Sequence, residues 1–206
     1  MSEETLFNIE VDTRWWPLGS GSHEPEVIAD ALIGRLAPEV EGPVAIALRA
    51  NLVSYAEWSQ MLAPGQRRSF ALVRSPELGR VDALLSFRYS ATPGSAYDRY
   101  LELARQQEST DTVELVNQRV LEFAVPAGRV IAVHDVLVIR DGSMRAPARE
   151  RCTAALFLKG QDRLVELHIA TLDLLLFNDI VEYAVAMVSG DEPQVPGVLE
   201  YRGGTP

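Results

Sequence analysis

Alternation of apolar and polar residues predicts strands along much of the chain. The first is Thr5–Val11, where three apolar side chains alternate with polar ones, and two more are expected at 69–74 and 81–90. Val113–Val116 fits either a further strand or a helical turn. The later part of the chain predicts a four-strand meander joined by short turns. Its strands are Gln118–Val125, Arg129–Ile139, Arg149–Leu158 and Arg163–Thr171.

Apolar residues that recur every three or four positions predict helices between these strands. The expected segments run from a Ser22 cap to Leu36, from about Pro43 to Leu62, from Ser95 to about Gln107, and from Leu174 to Val188. The second segment has no tidy apolar stripe. Val44–Leu48 therefore fits a strand as well as a helix.

The order of these elements predicts an α+β fold, because strands and helices fall in separate runs. We expect an antiparallel sheet, built on the C-terminal meander and covered by helices. Residues 1–190 have no Gly/Ser linker and no repeat, so they are expected to form one domain. Residues 191–206 are rich in Pro and Gly and are expected to be an irregular tail.

Four segments in this order resemble PsbP-like domains: Leu84–Tyr89, Ser95–Gln107, the meander ending at His168–Thr171, and Leu174–Val188. The opening Phe7–Val11 strand followed by Trp15-Trp16-Pro17 is similar to that family's first strand and its Pro/Trp turn. Glu24–Leu62 would be an N-terminal helical insertion. The family includes a photosystem II subunit, a Ran-binding import factor, bacterial lipoproteins and type VI secretion chaperones. The resemblance implies a fold used mostly for binding.

The charge balance excludes one class of partner. The 206 residues carry 19 basic and 29 acidic side chains, for a net charge of −10. A protein that binds nucleic acid needs a basic face to neutralise phosphates, so no nucleic-acid partner is expected. The acidity lies at the two ends, since residues 1–42 carry −7 and residues 153–206 carry −5. The stretch 43–152 carries +2.

The start of the chain and its single cysteine predict a cytoplasmic protein. Met1–Glu4 is acidic where a signal peptide would be basic. No apolar run approaches the length of a membrane helix, so no membrane insertion is expected. Cys152 has no second cysteine to pair with and lies in a predicted strand, where a packed, unreactive thiol is expected.

The sequence predicts no cofactor, no metal ligand and no catalytic residue. The Gly19-Ser20-Gly21 segment lacks the third glycine of a dinucleotide loop, and no P-loop or Gly-x-Ser-x-Gly motif is present. His134 and His168 lie on strands with another strand between them, too far apart to share a metal ion. Glu150 and Glu166 are expected to form cross-strand ion pairs with nearby arginines.

Two features are candidates for contact with a partner protein. Adjacent tryptophans in a loop do not easily enter one core, so one is expected to be partly exposed, either capping the core or anchoring an interface. The arginine-rich hairpin at 140–151 is either a solvated loop or a contact for an acidic partner. The candidate partner-binding residues are Trp15, Trp16, Arg140, Arg145, Arg149 and Arg151.

Together these features favour a non-enzymatic protein-binding or adaptor protein, chaperone-like and related to secretion. It would bind through a sheet face or through the groove beside its long helices, with an unidentified protein or a second copy as partner. The first alternative is a hydrolase or other small-ligand enzyme, with a site that only folding assembles. The second is a structural homo-oligomer.

Overall fold

The computed structural model describes residues 11, 13–18, 24–61, 67–93, 96–141, 144–145 and 147–190. The strand expected at 5–11 therefore lies, except for Val11, outside the described residues. The Ser22 cap and the tail at 191–206 also lie outside them.

The described strands form one antiparallel sheet in the order β1-β2-β3-β8-β7-β5-β4, and the short β6 pairs with β5. The α+β class is confirmed, with four described α-helices beside the sheet. The strands are β1 Trp15–Pro17, β2 Arg67–Leu72, β3 Ala83–Ala91, β4 Val113–Val125, β5 Gly128–Asp141, β6 Met144–Arg145, β7 Arg149–Leu158 and β8 Arg163–Thr171. The helices are α1 Pro25–Leu36, α2 Gly42–Met61, α3 Ala96–Arg105 and α4 Ile180–Ser189, with a 3₁₀ turn at Pro76–Leu78.

The predicted meander is confirmed, since β4, β5, β7 and β8 lie side by side in the sheet. Val113–Val116 belongs to β4, and the pairing with β5 shifts by one residue between Leu115 and Asn117. This irregularity is a β-bulge, which explains why the alternation breaks there. Val44–Leu48 is helical, so the strand alternative for that segment is wrong.

The last helix begins later than its sequence predicts. The apolar run at 174–176 favours a helix from Leu174, but α4 starts at Ile180. Asp179 caps it, because its Oδ1 accepts hydrogen bonds from the backbone N–H groups of Val181 and Glu182 at 2.8 and 3.0 Å. None of the described helices is both long and apolar enough to cross a lipid bilayer.

One face of the sheet carries the main core, and we call it the α4 face. Its apolar side chains come from alternate strand positions and pack against α4. They include Leu85, Ala132, Cys152, Leu167 and Ile169. Trp15 also packs there, and its Nε1 donates a hydrogen bond to the Tyr183 hydroxyl at 2.9 Å.

The opposite face, which we call the α3 face, packs against the other helices in two separate patches. At the β1–β3 side, Leu48 and Leu52 of α2 pack with Trp16 and Leu84. Toward the other side, α3 packs on Ile131, Val133 and Phe157 through residues that include Tyr97 and Ala104. A strip of sheet with polar and small side chains lies between these two patches.

Trp15 and Trp16 lie in β1 rather than in a loop, and each is only 4% exposed. Consecutive strand residues point to opposite faces, so the two rings enter two different cores. The expectation that one ring is partly exposed is therefore wrong. Neither ring is accessible as a surface contact in this fold.

Cys152 is fully buried on the α4 face, and this burial raises the pKa of its thiol well above the usual range. The thiolate is the reactive form, so we expect no alkylation of the native protein by iodoacetamide at pH 8. After denaturation in guanidinium chloride, one alkyl group per chain should be found by mass spectrometry. Native labelling as fast as in the denatured protein would contradict this placement.

Candidate partner-binding site

Two cavities follow one another on the α3 face between α2 and α3, and together we call them the trough. The first, of about 240 Å³, lies beside α2 and is lined by Asn51, Ser54, Tyr55, Leu84, Arg149, Ala170, Thr171 and Leu172. The second, of about 310 Å³, lies beside α3 and is lined by Arg88, Tyr100, Leu103, Ala104, Gln107, Val133, Asp135, Arg151, Thr153, Glu166 and His168.

The floor of the trough follows from strand alternation. In β7, positions 149, 151 and 153 point to the same face, and in β8 so do positions 166, 168 and 170. These positions are polar or small, whereas Cys152, Leu167 and Ile169 between them belong to the core under α4. The helices pack at either side of this polar stripe, which leaves the stripe as a groove.

The cavity beside α3 holds charges that neutralise one another. Asp135 is only 1% exposed, and Arg151 donates to its Oδ2 from Nε at 2.9 Å and also from Nη2. Gln118 Nε2 donates to the other carboxylate oxygen at 3.0 Å. Asp135 is thus a buried carboxylate with paired oxygens, a structural arrangement rather than a free base.

Glu166 is bound in the same way by its neighbours. Arg88 Nη2 donates to Glu166 Oε2 at 3.0 Å, and the Tyr100 hydroxyl donates to the same oxygen at 3.4 Å. Burial, followed by the charge of Glu166, raises the pKa of Tyr100 above its usual range. The phenol therefore stays protonated and remains a hydrogen-bond donor at neutral pH.

His168 and Thr153 form the one hydroxyl–imidazole contact among the described trough residues, with Oγ1 and Nδ1 3.0 Å apart. Such a pair is the chemistry that a nucleophilic enzyme needs, together with a group that orients the imidazole. The nearby carboxylates of Glu166 and Asp135 form ion pairs with Arg88 and Arg151. An enzyme assembled by the fold therefore stays a prediction.

Arg149 differs from the other arginines of the trough. Its side chain is half-buried in the cavity beside α2, and no ion pair joins it to a carboxylate among the described residues. Burial raises the pKa of the nearby Tyr55 hydroxyl, while the charge of Arg149 acts in the opposite direction. Asn51 on the same wall is held by hydrogen bonds from its amide to the carbonyls of Ala47 and Gly79, both at 3.0 Å.

The four candidate arginines are placed in three different situations. Arg149 and Arg151 lie at the start of β7 and line the trough. Arg140 is exposed and paired with Glu114 at the far end of β5, while the Arg145 side chain lies outside what the structure describes. The trough thus contains two of the six predicted partner-binding residues, and a partner role for any of them stays a prediction.

The cross-strand ion pair with an arginine that the sequence predicts is confirmed for Glu166, whereas Glu150, on the opposite face of the sheet, pairs with a histidine. Glu166 pairs with Arg88 of β3. Glu150 Oε1 lies 2.8 Å from His134 Nε2, and Arg119 Nη2 lies 3.1 Å from His134 Nδ1. A guanidinium only donates, so Nδ1 accepts and Nε2–H donates to Glu150.

His134 and His168 also lie on opposite faces of the sheet, with β7 between their strands. Within the described residues, no three His, Cys, Asp or Glu side chains are grouped closely enough to hold a metal ion.

Comparison of the chain with protein-family models gives no match, and comparison with curated proteins finds no similar sequence.

Proposed function

We propose that this protein is a non-enzymatic adaptor or chaperone-like protein that holds an acidic segment of a partner protein in the trough. The observation that carries the proposal is Arg149, a half-buried guanidinium without a carboxylate partner among the described residues. Cytoplasmic location, a link to secretion and the PsbP-like assignment of the fold belong to the same proposal.

A carboxylate is the ligand that suits this position best. An arginine presents a planar fork of donors that binds a carboxylate through two parallel hydrogen bonds. Ser54 and Tyr55 line the same cavity and supply hydroxyl groups beside the guanidinium. A partial loss of water around Arg149 raises the cost of leaving it unpaired, so a partner carboxylate would relieve that cost.

The shape of the trough suits a short extended segment. Positions 149 to 153 of β7 span about 13 Å, which is the length of about four extended residues. The walls also offer apolar surface, since Leu103 of α3 and Leu172 are both exposed. We therefore propose a segment with one acidic side chain near Arg149 and apolar side chains beside α3.

The net charge of −10 limits how acidic that segment is. A long acidic run would be repelled by the chain as a whole, while a single carboxylate at Arg149 would be attracted locally. This balance favours a segment of mixed composition over a polyanion.

Photo-crosslinking tests the proposal directly. A p-benzoylphenylalanine at Ser54 should capture a protein segment that contains an acidic residue, and Arg149→Glu in the same protein should abolish that product. The matched control carries the crosslinker at Glu182, which is exposed on α4 at the other face. Equal capture from both positions, or capture at Ser54 that Arg149→Glu does not change, would overturn the proposal.

A second candidate function, self-association, is favoured by the free edge of β4. The Arg140 N–H donates to the Thr112 carbonyl, so the backbone N–H and C=O groups of Arg140 face β4. Because this direction alternates from residue to residue along a strand, the other even-numbered residues of β5 also face β4. By the same alternation, four residues of β4 point their N–H and C=O groups away from β5. They are Gln118, Val120, Glu122 and Ala124.

No described strand pairs with this edge, and such an edge is a template for a strand of a second copy. We expect Ala124→Pro to prevent dimer formation, because it removes an outward N–H at an exposed position. Light scattering over a wide concentration range should show a dimer for the wild type and for the control Ala124→Ser. A wild-type monomer throughout would dismiss this candidate.

A further inference from the structure

A separate cavity of about 690 Å³ lies at the end of the sheet where the β4–β5 and β7–β8 hairpins turn. We call it the end cavity. Its walls come from these two turns, from Thr92 and Pro93 after β3, and from the rings of Tyr97 and Phe157. It shares no lining residue with the trough. Its volume lies in the range of small-molecule sites.

Positive charge is concentrated around the end cavity. Arg129, Lys159 and Arg163 line it, and Asp162 is the single carboxylate among its lining residues, so the lining carries +2. This contrasts with the net charge of −10 for the whole chain. Lys159 is exposed, and no ion pair joins it to a carboxylate among the described residues.

Arg129 stacks on the Tyr97 ring and lies near Glu122. Its guanidinium carbon lies 3.6 Å from the centre of the Tyr97 ring, and its Nη2 is 3.5 Å from Glu122 Oε2. Glu122 also accepts hydrogen bonds from the Tyr97 hydroxyl at 2.7 Å and from Arg105 at 3.0 Å. The negative charge of Glu122 is therefore shared among three donors and does not belong to Arg129 alone. Burial, together with the hydrogen bond to Glu122, raises the pKa of Tyr97 to about 12.

The remaining walls are apolar. Val125 and Pro126 come from one hairpin, and Phe157 and Leu158 come from the other. The Phe157 ring is fixed by edge contacts with Tyr97 and Tyr100, with ring centres 5.0 and 5.7 Å apart. A ligand in this cavity would thus meet cations on one side and fixed apolar surface on the other.

We propose that the end cavity binds a small organic anion, with its acidic group at Lys159 and Arg129 and its apolar body against Val125, Pro126 and Phe157. This chemistry is shared by aromatic carboxylates, sulfonates and phosphates. The site is independent of the trough, so its test is independent of the proposed partner binding.

The test uses 8-anilinonaphthalene-1-sulfonate, an aromatic sulfonate, as the probe. Titration of the folded protein, followed by amide chemical shifts, should move residues 125–129 and 157–163. Lys159→Gln and Arg129→Gln should each weaken binding about tenfold, because each removes a charge-assisted contact. The matched control is Arg140→Gln, an exposed arginine at the opposite end of β5, which should leave the affinity unchanged.

Inorganic sulfate and neutral 1-naphthol serve as partial probes. Each should bind at least about tenfold more weakly than 8-anilinonaphthalene-1-sulfonate. Sulfate offers only the acidic group, and 1-naphthol offers only the aromatic body. Shifts at another surface, equal losses in all three variants, or sulfate binding as tightly as the complete probe would overturn the proposal. Unchanged thermal melting of the three variants would show that the comparison is made between folded proteins.

Discussion

Replacement of Asp135 by alanine is expected to lower the free energy of unfolding by about 3 kcal/mol. The carboxylate is almost fully buried and binds Arg151 and Gln118, so its removal leaves a partly buried guanidinium and an amide without their acceptor. Arg151 keeps some contact with water, which moderates the loss. Chemical denaturation followed by circular dichroism measures this change.

The matched control for this experiment is Asp30→Ala. Asp30 pairs with Arg49 at 2.6 Å, but both side chains are exposed, at 59% and 42%. The pair lowers the pKa of Asp30, yet exposed ion pairs contribute only about 0–1 kcal/mol. Similar losses for Asp135→Ala and Asp30→Ala would contradict the structural role that we assign to Asp135.

Reversal of charge at Arg149 is expected to weaken partner binding at least a hundredfold while leaving the fold intact. Arg149→Glu replaces an attraction to the partner carboxylate by a repulsion of similar size, and like charges at an interface cost several kcal/mol. Arg149 is half-buried and has no ion pair among the described residues, so the fold loses little. Binding is measured by isothermal titration with the segment captured at Ser54.

Arg140→Glu is the control for charge alone. Arg140 pairs with Glu114 outside the trough, and the substitution changes the net charge by the same amount. We expect it to change the affinity by less than about threefold, as a distant surface charge does in physiological salt. An equal loss for both variants would show that the overall charge, and not the trough, controls binding.

Much of the sheet is predictable because its pattern is local. The bounds predicted for two strands, Arg149–Leu158 and Arg163–Thr171, are those observed. Alternation marks the strands, and a short polar turn separates them. The start of α4 is not predictable in this way, since Leu174 and Leu175 belong to an apolar run but are exposed in the turn before the helix.

The candidate site is less predictable, because its two walls are distant in sequence. The arginine-rich hairpin points to Arg149 and Arg151, and both line the trough. Ser54 and Tyr55 reach Arg149 only because α2 packs on the sheet, and no local pattern marks that contact. The exposure of the tryptophan pair is not predictable for a related reason. The sequence predicts a loop at Trp15 and Trp16, but both lie in a strand, so their rings point to opposite faces and enter two different cores.

A charge-swap experiment tests the central claim, that Arg149 in the trough binds an acidic residue of a partner. The dissociation constant is measured for wild type and Arg149→Glu, each with the captured segment and with a variant whose acidic residue is lysine. Each single change is expected to weaken binding strongly. The complex that carries both changes is expected to bind at least tenfold more tightly than a complex that carries only one of them. Independent effects of the two changes, with no restoration, would contradict the assignment of Arg149 as the contact.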